Sequence, residues 1–289
     1  MLKINIDNQE FKIPTDRIGI DMGQSLSKLA CIEDKSLTLA KFTNQTNIET
    51  LGEEIEVKAD KFKNLHFTGG RCYKSYTTYA KKGRAKIIDE FDAIVKGLET
   101  LYLIEKKKAL PPSLIVTIGT GTSMISFKEK TEHVGGTAIG GGFFMGQIKL
   151  LLAMNDFQEA LALAKSGNRY NVDLKVSDIY DPEDKRVSLL FREFTAASLG
   201  KIDDKFNLSG LKPGDLINSI ICMIGENVGT IATLMAEKND LPNIAFCGGF
   251  LTDNKIVKKI LSLLCRVNNK KAIFLKNSEF SASIGALFL

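Results

Sequence analysis

Two stretches of this chain repeat one local design: a short apolar strand, a turn of small residues, and a returning strand. Residues 17–22 (RIGIDM) and 27–32 (SKLACI) flank Gly23-Gln24-Ser25. Leu114 to Ile118 and Met124 to Phe127 flank Gly119-Thr120-Gly121-Thr122-Ser123. Set side by side, Ile20-Asp21-Met22-Gly23-Gln24-Ser25 and Ile118-Gly119-Thr120-Gly121-Thr122-Ser123 each end in Gly-x-Ser. Hairpin turns favour Gly and Ser for backbone reasons alone, so turn chemistry explains either copy by itself. Two such hairpins facing one another could also clasp a polyphosphate, because glycine lets backbone N–H groups approach an anion closely.

The rest of the chain alternates strands with helices, the pattern of α/β layers. Residues 37–42 and Asn64 to Thr68 read as further strands, the latter ending at Gly69-Gly70. From Lys86 to Glu105 apolar residues recur at Ile87, Ile88, Phe91, Ile94, Val95, Leu98, Leu101 and Tyr102, the helical period. Leu110-Pro111-Pro112-Ser113 ends that helix. With 289 residues the chain suits two lobes, expected at 17–112 and 113–289, with 1–16 as an N-terminal extension. Later come an apolar helix after Gly142, a polar middle, a helix from Gly214 to Lys238, a strand Asn243 to Cys247 ending at Gly248-Gly249, a helix from Asp253, a strand from Ala272 and a helix from Ser281. Glycines thus gather at 23, 69–70, 119–121, 135–142 and 248–249, all expected at strand ends.

Bulk properties remove several function classes. Lys+Arg less Asp+Glu is 39 − 34 = +5, dispersed along the chain, whereas a nucleic-acid binder concentrates its cations. Five cysteines without a CxxC pair, beside two histidines, make a zinc site unexpected and suit free thiols in a reducing cytoplasm. The N-terminus lacks the apolar core of a signal peptide. The apolar stretch Leu216 to Met235 is broken by Asn218, Glu226 and Asn227, so no membrane span is expected. No Walker A motif is present.

The arrangement resembles the sugar kinase, Hsp70 and actin superfamily, and its detail resembles type II pantothenate kinases. The matching segments are Asp21-Met22-Gly23-Gln24-Ser25-Leu26-Ser27-Lys28, Thr68-Gly69-Gly70-Arg71-Cys72-Tyr73-Lys74 and Glu90-Phe91-Asp92-Ala93 with Lys96-Gly97-Leu98. Further matches are Val134-Gly135-Gly136-Thr137-Ala138-Ile139-Gly140-Gly141-Gly142, Val172-Asp173-Leu174, Ser177-Asp178-Ile179-Tyr180 and Ala197-Ser198-Leu199-Gly200-Lys201. They run in the family's order from about residue 17 to the last.

The resemblance implies two ribonuclease-H-like lobes flanking a nucleotide cleft, and ATP-dependent phosphorylation of pantothenate, the first step of coenzyme A biosynthesis. Glu90 would be the general base. Asp21 would hold Mg²⁺, through water. Gly23, Ser25 and Lys28, with Gly119, Gly121, Thr122 and Ser123, would hold phosphates. Gly140, Gly141, Gly142, Gly248 and Gly249 would line the nucleotide site. Arg71, His133, Gly135, Gly136, Thr137 and Tyr180 would face the substrate. It also implies a homodimer and a feedback ligand in coenzyme A or its acyl forms. Helix geometry independently sets Glu90 about 100° from Phe91, at the margin of the core face. First-turn acids favoured by the helix dipole explain Asp89, Glu90 and Asp92 equally well. The chain departs from the family at Gln24, which replaces a glycine, and at His133, which replaces an arginine. Those departures keep open a different hydroxyl acceptor, such as a sugar, or a non-catalytic ATP-binding role.

Overall fold

A computed structural model describes residues 2–6, 13–43, 52–53, 55–56 and 61–289. Part of the expected extension, residues 7–12, lies outside the described residues. The first sheet contains β1 (Leu2–Asn5), β2 (Arg17–Met22), β3 (Leu26–Glu33), β4 (Ser36–Thr43), β5 (Asn64–Thr68) and β6 (Ala85–Ile87), in the order β1-β4-β3-β2-β5-β6. The second contains β7 (Ser113–Ile118), β8 (Thr122–Phe127), β9 (Thr131–Thr137), β12 (Asn243–Cys247) and β13 (Lys271–Phe274), in the order β13-β12-β7-β8-β9. Between β9 and β12 the chain forms a two-stranded ribbon, β10 (Leu174–Lys175) with β11 (Thr195–Ala197).

With β1 set aside, the sheets are copies. In each, three strands run as an antiparallel meander, the first of them pairs in parallel with one later strand, and that strand pairs in parallel with the next. The repeat seen in the two hairpins is therefore a repeat of the whole sheet. Its register differs from the side-by-side reading above. Met22-Gly23 corresponds to Ile118-Gly119, because β2 and β7 end there, two residues away from the Gly-x-Ser match. Sequence similarity within a turn cannot count strand residues; pairing does.

Two helices fill the space between the sheets: α2 (Glu90–Lys106) and α8 (Ser281–Phe288). One core unites Ile94, Val95, Leu98 and Leu101 of α2, Ile284 and Leu287 of α8, Ala30 and Leu39 of the first sheet, and Ile115, Ile125 and Ala245 of the second. The helices approach until their backbones touch. A Cβ on Gly97 would fall inside the Ser281 carbonyl, and one on Gly285 inside the Ala93 carbonyl. A Cβ on Gly19 of β2 would likewise strike the Ser283 carbonyl. The outer face of the first sheet carries Ile18, Ile20, Leu29 and Phe67 and is covered by α1 (Tyr73–Ala80).

Helix α2 starts later than its apolar period suggests. Ala85–Ile87 pairs with β5, and Asp89 caps the helix by accepting from the Phe91 and Asp92 amides. An edge-strand pairing and an N-cap together override the helical spacing of Ile87 and Ile88. The second sheet is covered by α3 (Gly141–Leu152), α4 (Phe157–Ser166), α6 (Pro213–Lys238) and α7 (Lys255–Val267), with α5 (Leu189–Arg192) lying in the polar middle. Among the described residues α6 is the one helix long and apolar enough to cross a membrane, and its apolar residues (Ile217, Ile221, Ile224, Val228) are buried in the core of this chain.

The interlocked glycines give a direct test. Gly285→Ala should lower the stability of the chain by roughly 1–3 kcal/mol, the cost of overpacking a close-packed contact. Gly146→Ala, on α3 with open space around its Cβ, should be neutral or stabilising by up to about 1 kcal/mol. Urea denaturation of both variants reads the difference.

Candidate active site

Strand alternation sends Ile18, Ile20 and Met22 to the outer face, and so turns Asp21 inward at the end of β2. Asp21 is 6% exposed. Its cross-strand neighbour on β3 is Lys28, whose Nζ donates to Asp21 Oδ2 at 3.0 Å. Gly69 closes the other side. It has φ +88°, and a Cβ there would lie 2.6 Å from Asp21 Oδ1, so the carboxylate occupies room that only glycine leaves. Thr68, the register partner of Asp21 on β5, is fully buried with its hydroxyl unpartnered. Neither Thr68 nor Gly69 was a site candidate from sequence, although both lie in the Thr-Gly-Gly segment that carried the resemblance.

The second hairpin repeats this construction without the carboxylate. Gly248 ends β12 with φ +104°, and a Cβ there would strike the Ile118 carbonyl, as Gly69 does with Met22. Both hairpins meet: Ser25 Oγ and Thr120 Oγ1 are 3.2 Å apart. Thr120 escaped the sequence reading because nothing local marks a contact with a residue 95 positions away. Thr122 uses its hydroxyl on the Ile139 carbonyl. The amides of Gly141 and Gly142 donate to the Gly119 and Thr120 carbonyls. These glycines therefore fasten α3 to the second hairpin. Gly140 belongs to the same junction, since a Cβ on it would meet the Thr120 and Gly121 carbonyls at 2.8 Å.

Gly135 and Gly136, expected at a strand end, lie inside β9, opposite Met124 and Ser123. The β8–β9 register shifts beside Met124, and Gly135 has φ +155°, so the glycines serve an irregular strand. Thr137 ends that strand and accepts from the Ile139 amide.

Glu90 is the first residue of α2, with much of its side chain open to solvent. Partial burial of its carboxyl pushes its pKa above the ordinary carboxylate value. The charges of Asp21 and Asp89 push the same way, and Lys28 opposes them. The buried Cys72 thiol is raised by burial first, then by Glu90 and Asp21. Glu90, Asp21, Lys28 and Cys72 thus share one electrostatic neighbourhood. His133 of β9 stacks on Phe91, the residue after Glu90, with ring centroids 4.6 Å apart and planes within 6°.

Arg71 lies along the first hairpin, its amide on the Met22 carbonyl and its guanidinium donating to the Gln24 carbonyl at 3.4 Å. Tyr180 is half exposed in the polar middle, where its carbonyl accepts from Arg192. The Val-Asp-Leu segment is an anchor. Asp173 is fully buried and accepts from Arg169 Nε (2.6 Å), Ser219 Oγ (2.5 Å) and the Leu199 amide (2.7 Å). Arg169 also forks onto both oxygens of Glu226, a bidentate pairing that fixes it in place.

Among the described residues no three His, Cys, Asp or Glu gather to hold a metal. A single inward carboxylate, Asp21, fits Mg²⁺, which binds through one or two carboxylates, waters and substrate phosphates.

A family model described as Fumble matches residues 37–289. A type II pantothenate kinase of Bacillus thuringiensis subsp. konkukian is 31% identical over 278 residues, covering 93% of this chain and 96% of that protein. One from Oceanobacillus iheyensis is 33% identical over 277 residues, covering 94% and 98%. Among solved structures, the activator of the 2-hydroxyisocaproyl-CoA dehydratase from Clostridium difficile with bound ADPNP superposes with TM-score 0.59 at 14% identity, covering 94% of this chain and 93% of that one. A ROK hexokinase from Thermus thermophilus superposes with TM-score 0.53 at 12% identity, covering 94% and 96%. These two likenesses show the fold, that of the actin-like ATPases and kinases.

The raised pKa of Glu90 implies a stability cost. An acid whose folded pKa lies above its unfolded value stabilises the fold only while protonated, and that stability is lost as pH rises from the unfolded pKa through the folded one. Glu90→Gln should therefore melt above the parent chain at pH 8, with the gap shrinking as pH falls toward 5. Paired thermal melts across that range test it; a gap that widens on acidification would reverse the assignment.

Proposed function

The chain belongs to the Fumble family, with the type II pantothenate kinases as its relatives, and on that premise we propose that this cleft phosphorylates pantothenate with ATP, Glu90 acting as general base. The observation that carries the assignment is the neighbourhood of Glu90: a raised pKa, Asp21 and Lys28 within its field, and two joined hairpins. Glu90 takes the proton of the primary hydroxyl while that oxygen bonds to the γ-phosphorus. The bond from phosphorus to the ADP oxygen breaks, and 4′-phosphopantothenate and ADP leave. A base whose pKa is raised by burial binds that proton more firmly than an ordinary carboxylate does.

Lys28, Ser25 and the backbones of Gly23, Gly119, Gly121, Thr122 and Ser123 would hold the phosphates. Gly140 to Gly142 and Gly248-Gly249 would border the nucleotide. Mg²⁺, held by Asp21 through water, would neutralise charge on the phosphates. His133 is the substrate-facing candidate we favour, and its stack on Phe91, the residue that follows Glu90 on α2, supports that reading. Arg71, on the first hairpin, and Gly135, Gly136, Thr137 and Tyr180 complete the proposed substrate side. We place the enzyme in the cytoplasm, where its five buried free thiols are at home. We propose a homodimer, with Leu150, 82% exposed on α3, as apolar surface for a second copy, and coenzyme A or its acyl forms as feedback ligands.

Glu90→Gln should retain ATP-analogue binding and lose about 10²- to 10⁴-fold in turnover. Pantothenate-dependent ADP release measures this, with glucose as the rival acceptor. Full turnover in the variant would remove Glu90 as the base, and ADP release with glucose alone would move the substrate to sugars. In the parent enzyme the acid limb of kcat/KM should report a pKa above that of an ordinary carboxylate.

A further inference from the structure

The hydroxyl of Thr68 has no use in the fold. Phe67 packs on the outer face of the first sheet, so Thr68 turns to the inner face, the face that Asp21 occupies on the neighbouring strand. The two are register partners on parallel β5 and β2, and neighbouring strands lie about 4.8 Å apart. On its other side β5 pairs with β6, and the Ile88 amide donates to the Phe67 carbonyl just before the chain reaches Glu90. Thr68 thus stands between the strand that carries Asp21 and the segment that leads to Glu90. It is 0% exposed, and its Oγ1 is closed off from solvent without a hydrogen-bond partner. A buried polar group with no partner costs stability. A valine would fill the same space without that cost, so packing gives no reason for a hydroxyl here.

We infer that Thr68 is a positioning residue for Asp21, its hydroxyl held in reserve to donate to that carboxylate when a polyphosphate draws Lys28 away. The inference rests on the proposed reading in which Asp21 and Lys28 serve the phosphates of ATP. Asp21 Oδ2 accepts from Lys28 at 3.0 Å, while Oδ1 lies against Gly69, the residue that follows Thr68. A carboxylate that is 6% exposed and loses its cation needs another donor. Thr68 offers one on the Oδ1 side, by rotation of its side chain. The duplicated sheet shows that such a pair can meet. The equivalent register partners in the second half are Thr117 and Cys247, with Gly248 following Cys247 as Gly69 follows Thr68. There the Thr117 and Cys247 side chains are hydrogen-bonded to one another. With Thr68 bonded to Oδ1, Asp21 would keep one orientation toward the waters of Mg²⁺ while Lys28 turns to phosphate.

Calorimetric titration of the full-length protein with a non-hydrolysable ATP analogue, with and without Mg²⁺, separates this role from a structural one. In the parent chain Mg²⁺ should tighten binding of the analogue, and Asp21→Asn should abolish that gain. Thr68→Val should cut the Mg²⁺-dependent affinity about tenfold, the loss of one hydrogen bond to a charged group, and leave the metal-free affinity unchanged. Thr68→Ser, which keeps the hydroxyl, should restore it. Without ligand, Thr68→Val should melt at or above the parent temperature, because it removes an unpaired buried hydroxyl. Thr68→Ala carries the binding comparison should the valine variant not fold. Full Mg²⁺-dependent affinity in the valine or alanine variant, an equal loss with and without Mg²⁺, no recovery with serine, or a folded valine variant that melts well below the parent would overturn the inference and leave the kinase reading standing. A parent chain whose binding Mg²⁺ does not tighten, or an Asp21→Asn variant that keeps the gain, would instead remove the proposed role of Asp21, and the inference with it.

Discussion

The backbone contact between α2 and α8 is the constraint on which the rest of the structure depends. Gly97 meets Ser281 and Gly285 meets Ala93 with no side chain between them. Two helices that close form a thin layer, and only a thin layer lets both sheets pack onto the same pair. Gly19 extends the principle to the sheet by letting β2 touch α8. Because α2 is held this closely, its first residue stands at a fixed height over the end of β2, where Asp21 points inward. The electrostatic coupling of Glu90 to Asp21 and Lys28 is thus a consequence of three missing Cβ atoms far from the reacting groups.

The duplicated sheet explains the shape of the cleft, and its asymmetry explains the chemistry. Each half ends a parallel strand in a glycine with positive φ, Gly69 or Gly248, pressed on the end of the neighbouring strand. Each half presents a hairpin, and the hairpins touch through Ser25 and Thr120. The first half carries an acid at the penultimate position of its strand, Asp21, and a cation across from it, Lys28. The second half has Thr117 and Ser123 at those positions. One scaffold thereby supplies a charged jaw and a neutral jaw, an arrangement suited to polarising only one end of a polyphosphate.

Much of this was legible in the sequence where the signal is local. The strand character of residues 17–22 and 27–32 located β2 and β3, Asn243–Cys247 was read to the residue, and the helix read from Gly214 to Lys238 is α6 within one residue. Features set by distant partners were not legible. Nothing near Thr120 announces Ser25, and nothing near His133 announces Phe91. The glycines of β9 read as a strand end because glycine is a turn residue in general, whereas here they lie within a strand with a shifted register. The Val-Asp-Leu segment read as part of a functional motif, yet Asp173 spends its oxygens on Arg169, Ser219 and the Leu199 amide. Motif matching alone does not separate a residue that touches substrate from one that holds the wall.

The same distinction bears on His133. An arginine at this position would project a permanent charge with a planar fork; the imidazole instead lies flat on Phe91, so its orientation is fixed by ring packing. A stacked imidazole offers one edge to a ligand and can carry charge only when protonated. On the proposed reading, carboxylate recognition in this chain therefore rests less on a built-in charge beside Glu90 than it would with arginine. The charge that opposes the rise in the pKa of Glu90 is that of Lys28. Lys28 is already shared with Asp21 at 3.0 Å, and a phosphate that draws Lys28 away would weaken that opposition. Occupancy of the first hairpin and proton affinity at the start of α2 therefore meet at one cation, Lys28.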